Sequence, residues 1–525
     1  MALTKSTYRM LDGDISNVND YGADPTGIAD STPAFTAALS ASRNVYIPNG
    51  TYLISQITIS QNGTQIVTGD VVIKQKPNVQ SQFSVTGSGS TSGNYDFSII
   101  VIKASNVTIG DISFEGNIAT DTGEFNHCIY VIDESGSLSE IRDVRLGSYY
   151  GTDIRGDVLY VGGTASTPIY NLRVDSVDGD NIYRSIVSIT GGDGVSINNV
   201  LGNRAGYRNI DFEPNAGSQQ IENCYIGYVR GGMIQCASDS SLVRNGVIHI
   251  DRADLDSSFM PNPTPAPPYA TVGGPDIAII LSRFDYLRIN SLQINNYDTL
   301  GIIVSSIGAE QKGRLVIDYL EADNIATVTA TYQTVIESTG AVSVEVNSGI
   351  VTLESTNTFL KGLDADYSIR NISFTGGIGL ANFCNDLYCE NVTANVSGKL
   401  FGDVNNGQVI NSTLVAGTDV MHQCKDMSFY NCVVDYSGSF DTSPASGSDG
   451  ANFDRGTLNG VFYDHYTTID AANYFPFQGA LKGSGTPEGS VTAPVGTMFL
   501  RTDGGASTTF YIKESGTGST GWVAK

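Results

Sequence analysis

Basic residues are scarce in this chain of 525 residues: 29 Lys and Arg stand against 54 Asp and Glu, a formal charge of −25. Neutralising phosphates needs clustered cations, so nucleic acid is excluded as a partner. Charge of either sign is sparse, at 16%, where an average globular protein carries roughly 25%. The seven cysteines (Cys128, Cys224, Cys236, Cys384, Cys389, Cys424 and Cys432) include no CxxC pair and no dense disulfide framework. Cys224, Cys236 and Cys432 fall on apolar positions of a strand pattern. They are therefore expected to be buried free thiols, as a reducing cytoplasm leaves them. Only four histidines occur, at 127, 249, 422 and 465, too scattered for a metal site, and no cofactor is expected. No run of 18 apolar residues exists, so no membrane insertion is expected. The first ten residues, MALTKSTYRM, hold no apolar signal-peptide core, so ordinary secretion is not expected either.

Glycine (59), tyrosine (27) and phenylalanine (20) are plentiful, and an apolar content of 40% is too high for a disordered chain. Length alone suggests three or four domains, but internal repeats override that division. A phrase of alternating apolar residues closing on Asn or Asp recurs. It appears as VTIGDI (107–112), LSEIRDV (138–144), LRVDSV (172–177), VSINNV (195–200) and LRINSL (287–292). It continues as LVIDYL (315–320), SIRNI (368–372), LYCENV (387–392) and SFYNC (428–432). A period of roughly 20–30 residues with β-branched alternation means short strands joined by tight bends, and Asn tolerates the left-handed conformation such bends need. One repeat cannot bury a face alone, so the coils must stack. About thirteen coils spaced roughly 4.8 Å apart would form a rod about 60 Å long. The fold class is all-β, a parallel β-helix, and its asparagine column is a structural ladder.

The ends differ. Residues 1–42 form an entry segment whose stretch 30–42, DSTPAFTAALSAS, predicts an amphipathic helix capped by Asp30 or Ser31, with Pro33 in its first turn and Phe35, Ala38 and Leu39 on one face. Such a helix would cover an open sheet edge. The β-helix is expected over 43–436. Residues 437–525 read as a Ser/Gly/Asp-rich linker and a small β module holding Trp522.

The segment TYRMLDGDISNVNDYGADPTGIADSTPAFTAALSAS, followed by VYIPNGTYLI (7–54), resembles the entry of phage tailspikes and capsule depolymerases, members of the pectate-lyase-like right-handed β-helix superfamily. The phrase Tyr21-Gly22-Ala23-Asp24-Pro25-Thr26-Gly27 before a helix carries most of the match, and the ladder extends it less specifically to about residue 436. The resemblance implies right-handed coils and a homotrimer on a phage tail or baseplate. It also implies synthesis in the host cytoplasm and action at the bacterial surface, on capsular or O-antigen polysaccharide. Typical members carry a virion-attachment segment ahead of this phrase; few residues precede it here, so the chain is expected either to attach through a tiny N-terminus or to lack that domain.

Aligning the strand before the ladder phrase in four coils gives LYVGG (159–163), VSITG (187–191), IDFEP (210–214) and IQCAS (234–238). The outward pairs become Tyr160/Gly162, Ser188/Thr190, Asp211/Glu213 and Gln235/Ala237, so one coil of the four directs two carboxylates outward. Residues i and i+2 of a strand lie about 6.5–7 Å apart, on the border between retaining and inverting glycosidase geometry. An Asp-x-Glu-Pro strand also resembles segments of the superfamily's depolymerases. Glu213, flanked by Phe212 and Pro214, is the expected general acid, and Asp211 the base or nucleophile. Two charges about 6 Å apart interact by roughly 0.7 kcal/mol in water and about 3 kcal/mol at an effective dielectric of 20, so the pair needs walls that exclude water. The proline-rich insertion 259–275 is a candidate wall, or a loop gripping a neighbouring subunit. Tyr160, Tyr207 and Tyr228 are candidate sugar platforms, with Arg208 as a further binding residue. Asp180 and Asp239 are reserve carboxylates, while Asp178 and Asp193 read as bend residues. A lyase would need a base such as Tyr207, Arg208 or His249 beside a uronic acid, and the carboxylate surplus weighs against an acidic substrate. A non-cleaving polysaccharide adhesin and a purely structural spike are the alternatives from other classes.

Overall fold

The computed structural model describes residues 15–77, 98–119, 126–133, 137–206, 208–237, 244–259, 277–297, 300–305, 313–325, 334–353, 357–440, 451–463, 467–469, 481–493, 495–516 and 518–525. Tyr207, Asp239, nearly all of the proline-rich insertion and residues 470–480 of the C-terminal module lie outside them. The chain packs as two compact units, Met1–Leu292 and Gln293–Lys525.

In the first unit, β-branched alternation becomes parallel coils in register. Leu146, Val174, Ile197, Ile226 and Ile250 pair one above another in a sheet of long strands that includes Ile141–Thr152, Ile169–Ile182 and Asn245–Asp256. A second sheet, of shorter strands, stacks Ile100, Ile129, Leu159, Val187, Ile210 and Ile234. Both columns are buried. Each apolar side chain therefore meets a like side chain one coil away, and the backbone satisfies its own hydrogen bonds coil to coil.

The helix Thr32–Ala41 packs against Ile15–Asn17, Asn44–Ile47 and Ile57–Ile59, with Ala34, Phe35, Ala38 and Leu39 buried. Asp30 caps it by accepting the Thr32 N–H at 2.9 Å, whereas the Ser31 hydroxyl accepts the Asp24 N–H at 2.9 Å instead. Asp24 holds the entry phrase folded back on itself. Its carboxylate accepts from Ala29 N–H (2.7 Å), Thr26 Oγ1 (2.7 Å) and Thr26 N–H (3.0 Å). These bonds, the Ala29 one foremost, hold its pKa down at about 2.

The second unit repeats the scheme. Ile317, Val346, Ile369, Cys389, Val409, Phe429 and Phe453 stack through one column, all buried. A further parallel strand, Ala451–Leu458, follows the last recognised repeat phrase and pairs with Met427–Tyr436. Beyond it the pairing turns antiparallel through Met498–Arg501, Phe510–Lys513 and Trp522–Ala524. There the Trp522 indole donates to the Val491 carbonyl at 2.7 Å, and the buried Lys513 ammonium donates to the Gly518 and Thr520 carbonyls. All seven cysteines are buried thiols. Burial pushes Cys384 up to about 12 and Cys432 to about 11, so neither is reactive at neutral pH.

The asparagine ladder sits at the bends in left-handed conformation. Asn371, Asn391, Asn411 and Asn431 have φ of 50°, 54°, 52° and 54°. Asn391 donates Nδ2–H to Asn371 Oδ1 at 3.1 Å, and Asn431 to Asn411 Oδ1 at 2.8 Å. In the first unit Asn171 donates to Asp143 and Asn223 to Asp193 in the same way. The bend residue is therefore chosen both for its backbone and for its amide. Replacing Asn391 by Gly should remove one hydrogen bond and cost about 1 kcal/mol, whereas Asn391→Val adds the left-handed penalty of roughly another 1–2 kcal/mol. Thermal melting of the two variants checks the order; equal losses would show that the amide alone matters.

Candidate functional site

The described residues among those singled out in the sequence fall on two sheets of the first unit. The short-strand sheet carries Tyr130, Tyr160, Ser188, Asp211 and Gln235 in one register column, opposite the apolar interior. Asp211 thus alternates with Ile210 and Phe212 as the pattern predicts. Its environment differs from the expectation of an open outward face, because Asp211 is 0% exposed. Tyr160 is buried too, with its ring 4.9 Å from Tyr130 and 4.7 Å from His127, so no free platform is left there. Arg208 is buried and donates Nε–H to Gln235 Oε1 at 2.8 Å, one coil beyond Asp211. Glu213 remains half-buried between the buried Phe212 and Pro214. Alternation along a strand reports which side a residue faces; it does not report whether that side is covered.

Just before these strands lies a buried ionic group that the sequence reading passed over. Asp157 is fully buried and accepts the Ser185 N–H at 2.8 Å, with Arg184 Nε at 3.3 Å and His127 Nδ1 at 3.2 Å. His127 Nδ1 also lies 3.0 Å from the Asp157 N–H. A bare ring nitrogen accepts that N–H, and a protonated one pairs with the carboxylate. Burial by itself would push the Asp157 pKa up, but the charges of Arg184 and His127 and the Ser185 N–H outweigh it, and the carboxyl titrates below its ordinary range. No local phrase marks this trio, because its members come from three coils.

The long-strand sheet holds the other described candidates, Asp180, Tyr228 and His249. Asp180 accepts from Asn203 Nδ2 (3.0 Å) and Arg204 Nε (2.8 Å) and forms a second, shorter contact with Arg204 Nη2. This reserve carboxylate is an ion-pair partner. Tyr228 donates its hydroxyl to Asp254 at 2.8 Å, while Arg252 grips the same carboxylate and lies over the Tyr228 ring at 5.4 Å. One ring face is therefore taken. His249 bonds Asn290 at 3.1 Å, within a network that runs through Asp251 to Tyr225. Arg208 precedes the short strand Ile210–Phe212, whereas His249 lies within the long strand Asn245–Asp256. Among the described residues no cluster of three or more His, Cys, Asp or Glu could hold a metal.

A family model described as rhamnogalacturonase A/epimerase, pectate lyase-like, matches residues 15–141. The entry segment and first coils are therefore similar to that family. The resemblance read from Tyr21–Gly27 is borne out over that stretch. No curated protein sequence matches the chain. Among solved structures, the enzymatically active domain of bacteriophage CBA120 tailspike protein 2 is similar at 15% identity and a TM-score of 0.38, covering 70% of this chain and 48% of that one. The full-length tailspike protein 2, from an Escherichia coli O157:H7 bacteriophage, is similar at 14% and 0.40, covering 69% and 43%. CBA120 tailspike protein 3 is similar at 11% and 0.34, covering 98% and 70%. The chain spans under half the length of the first two.

The buried trio gives a pH-dependent expectation. The Asp157 pKa in the folded protein lies below its unfolded value of about 3.9, so its stabilisation is complete above that value and is lost as pH falls through the folded pKa. Asp157→Asn leaves Arg184 without its buried partner and should cost about 3–5 kcal/mol at neutral pH. The gap between wild-type and variant melting temperatures should narrow at pH 3; a gap unchanged from pH 7 to pH 3 would show that the carboxylate charge contributes nothing.

Proposed function

We propose that this chain binds and cleaves a bacterial surface polysaccharide, capsule or O-antigen, as an endo-glycosidase of a phage tailspike. The observation that carries the reading is the strand Ile210–Phe212 and its continuation: two carboxylates at i and i+2, one withdrawn from water and one half-exposed between apolar neighbours. A carboxyl pair in unequal surroundings is what acid and base roles require. Glu213, the reachable member, protonates the leaving oxygen. Asp211, fully buried, serves as base or nucleophile only when the wall around it opens to substrate or water. The pectate-lyase-like match over 15–141 supports a glycan as the substrate class.

The burial of Asp211 favours one second reading, an adhesin that holds polysaccharide without cutting it. Incubation with purified capsule or O-antigen separates the two. New reducing ends mean hydrolysis, ultraviolet-absorbing unsaturated ends mean lyase chemistry, and retention without shortening means adhesion. Glu213→Gln and Asp211→Asn should each lower cleavage at least about a hundredfold, the usual contribution of a positioned acid or base. Near wild-type rates in both variants would remove the pair from the mechanism.

The trimer implied by the resemblance is part of the same proposal. Ile350 (52% exposed), Ile378 and Val433 are exposed apolar side chains on the second unit that a neighbouring copy would contact. Light scattering should give a trimer, weakened by deleting 470–525. A stable monomer of the intact chain would overturn it.

A further inference from the structure

The outer face of the long-strand sheet contains a cavity of about 390 Å³, on a different sheet from Asp211 and Glu213. Its walls include Asp70, Asp111 and Asp178, the hydroxyls of Ser113 and Ser148, and the ring of Tyr150. Four successive coils build it, the strand after Asp70 pairing Val72 with Ser113, Ser113 with Tyr150 and Tyr150 with Asp178. Asp70, Asp111, Ser148 and Tyr150 are exposed, so the cavity opens to solvent, and Tyr150 is 42% exposed. No Lys or Arg lines it.

We infer that this cavity is a binding cleft for a sugar residue without negative charge, neutral or amino, separate from the Asp211 strand. The volume falls within the roughly 300–1,000 Å³ of small-molecule sites. Tyr150 offers the broad apolar surface on which a sugar ring's C–H face packs, and its hydroxyl stays available to water or ligand. The carboxylates accept from sugar hydroxyls or an ammonium, the charge-assisted kind of hydrogen bond that fixes orientation. Two acceptors are partly used already: Asp111 Oδ1 takes the Ser148 N–H at 2.7 Å and Asp178 Oδ1 the Gly179 N–H at 2.8 Å. These bonds hold the carboxylates in place and leave each a second oxygen for the ligand. Burial, with Asp180 adding to it, raises the Asp178 pKa against the opposing pull of the Gly179 N–H and Arg230. A uronate, sialate or phosphate would meet three carboxylates and no cation in the lining. Selection against acidic glycans is therefore built into the walls.

This inference rests on the glycan reading above but not on Asp211 or Glu213. The test titrates the full chain by calorimetry with three probes: maltohexaose, a chitosan hexamer and a hexagalacturonate. Saturable binding of a neutral or amino oligomer is expected, with the galacturonate at least about tenfold weaker. Tyr150→Ala and Asp178→Asn should each weaken the bound probe about tenfold or more, the scale of one lost stacking or charged contact, while Tyr150→Phe stays near wild type. Melting curves confirm that the variants are folded. Equal affinity for galacturonate, no binding of either maltohexaose or the chitosan hexamer, or undiminished binding by folded variants overturns the cleft. Because binding is read without turnover, loss of cleavage in Glu213→Gln with binding retained leaves the cleft standing. Wild-type cleavage in Glu213→Gln with binding lost in Tyr150→Ala removes only the catalytic assignment.

Discussion

Parallel coils can stack only if every bend returns the chain to the same register, and that constraint governs the rest of the molecule. The inward columns from Leu146 to Ile250 and from Ile317 to Phe453 stay buried because successive coils are aligned residue on residue. A slip of one residue would turn each apolar column outward. The asparagines at the bends prevent it in two ways. They accept left-handed φ, and their amides bond to the residue one coil before. Local backbone preference and long-range alignment are thus met by one residue type.

That coincidence explains why the coil architecture could be read from the chain. Alternation and a recurring Asn or Asp are local signals, and stacking repeats them often enough to be seen. The bend positions themselves were less legible. In VTIGDI the left-handed residue is the preceding Asn106, not Asp111, whose carboxylate instead accepts the Ser148 N–H. The strand Ala451–Leu458 escaped notice because its bend residue is Arg455, followed by Gly456, rather than an asparagine. The helix begins at Thr32, whose N–H bonds the Asp30 carboxylate and not the Ser31 hydroxyl.

The candidate site was legible in sidedness and not in environment. Asp211 faces away from the apolar column, as period-two alternation demands, yet it is fully buried, and so are Tyr160 and Arg208. Burial on an outer face depends on contacts from elsewhere in the chain, and no strand-local pattern encodes them. The same reason hid the Asp157 trio, whose members His127, Asp157 and Arg184 are joined only when coils stack. Tyr228 shows the converse. An aromatic residue on a β-surface looked free in sequence, and Arg252, two dozen residues on, occupies its face.

The distribution of charge completes the argument about chemistry. The excess of carboxylates is not uniform decoration, since Asp180, Asp254 and Asp157 are each matched by an arginine while Asp70 and Asp111 line an open cavity with no cation in its walls. Arginine is spent where a carboxylate must be held in the fold, which leaves acidic groups facing solvent where a ligand could use them. Two unit charges about 6 Å apart repel by roughly 0.7 kcal/mol in water and nearly 3 kcal/mol in a half-excluded cleft. An anionic polymer approaching such a surface pays that repulsion at every acidic residue, while a neutral one loses only water and gains hydroxyl–carboxylate hydrogen bonds. Charge placement therefore supports the proposed preference for glycans poor in acidic sugars more directly than the overall formal charge of −25 does.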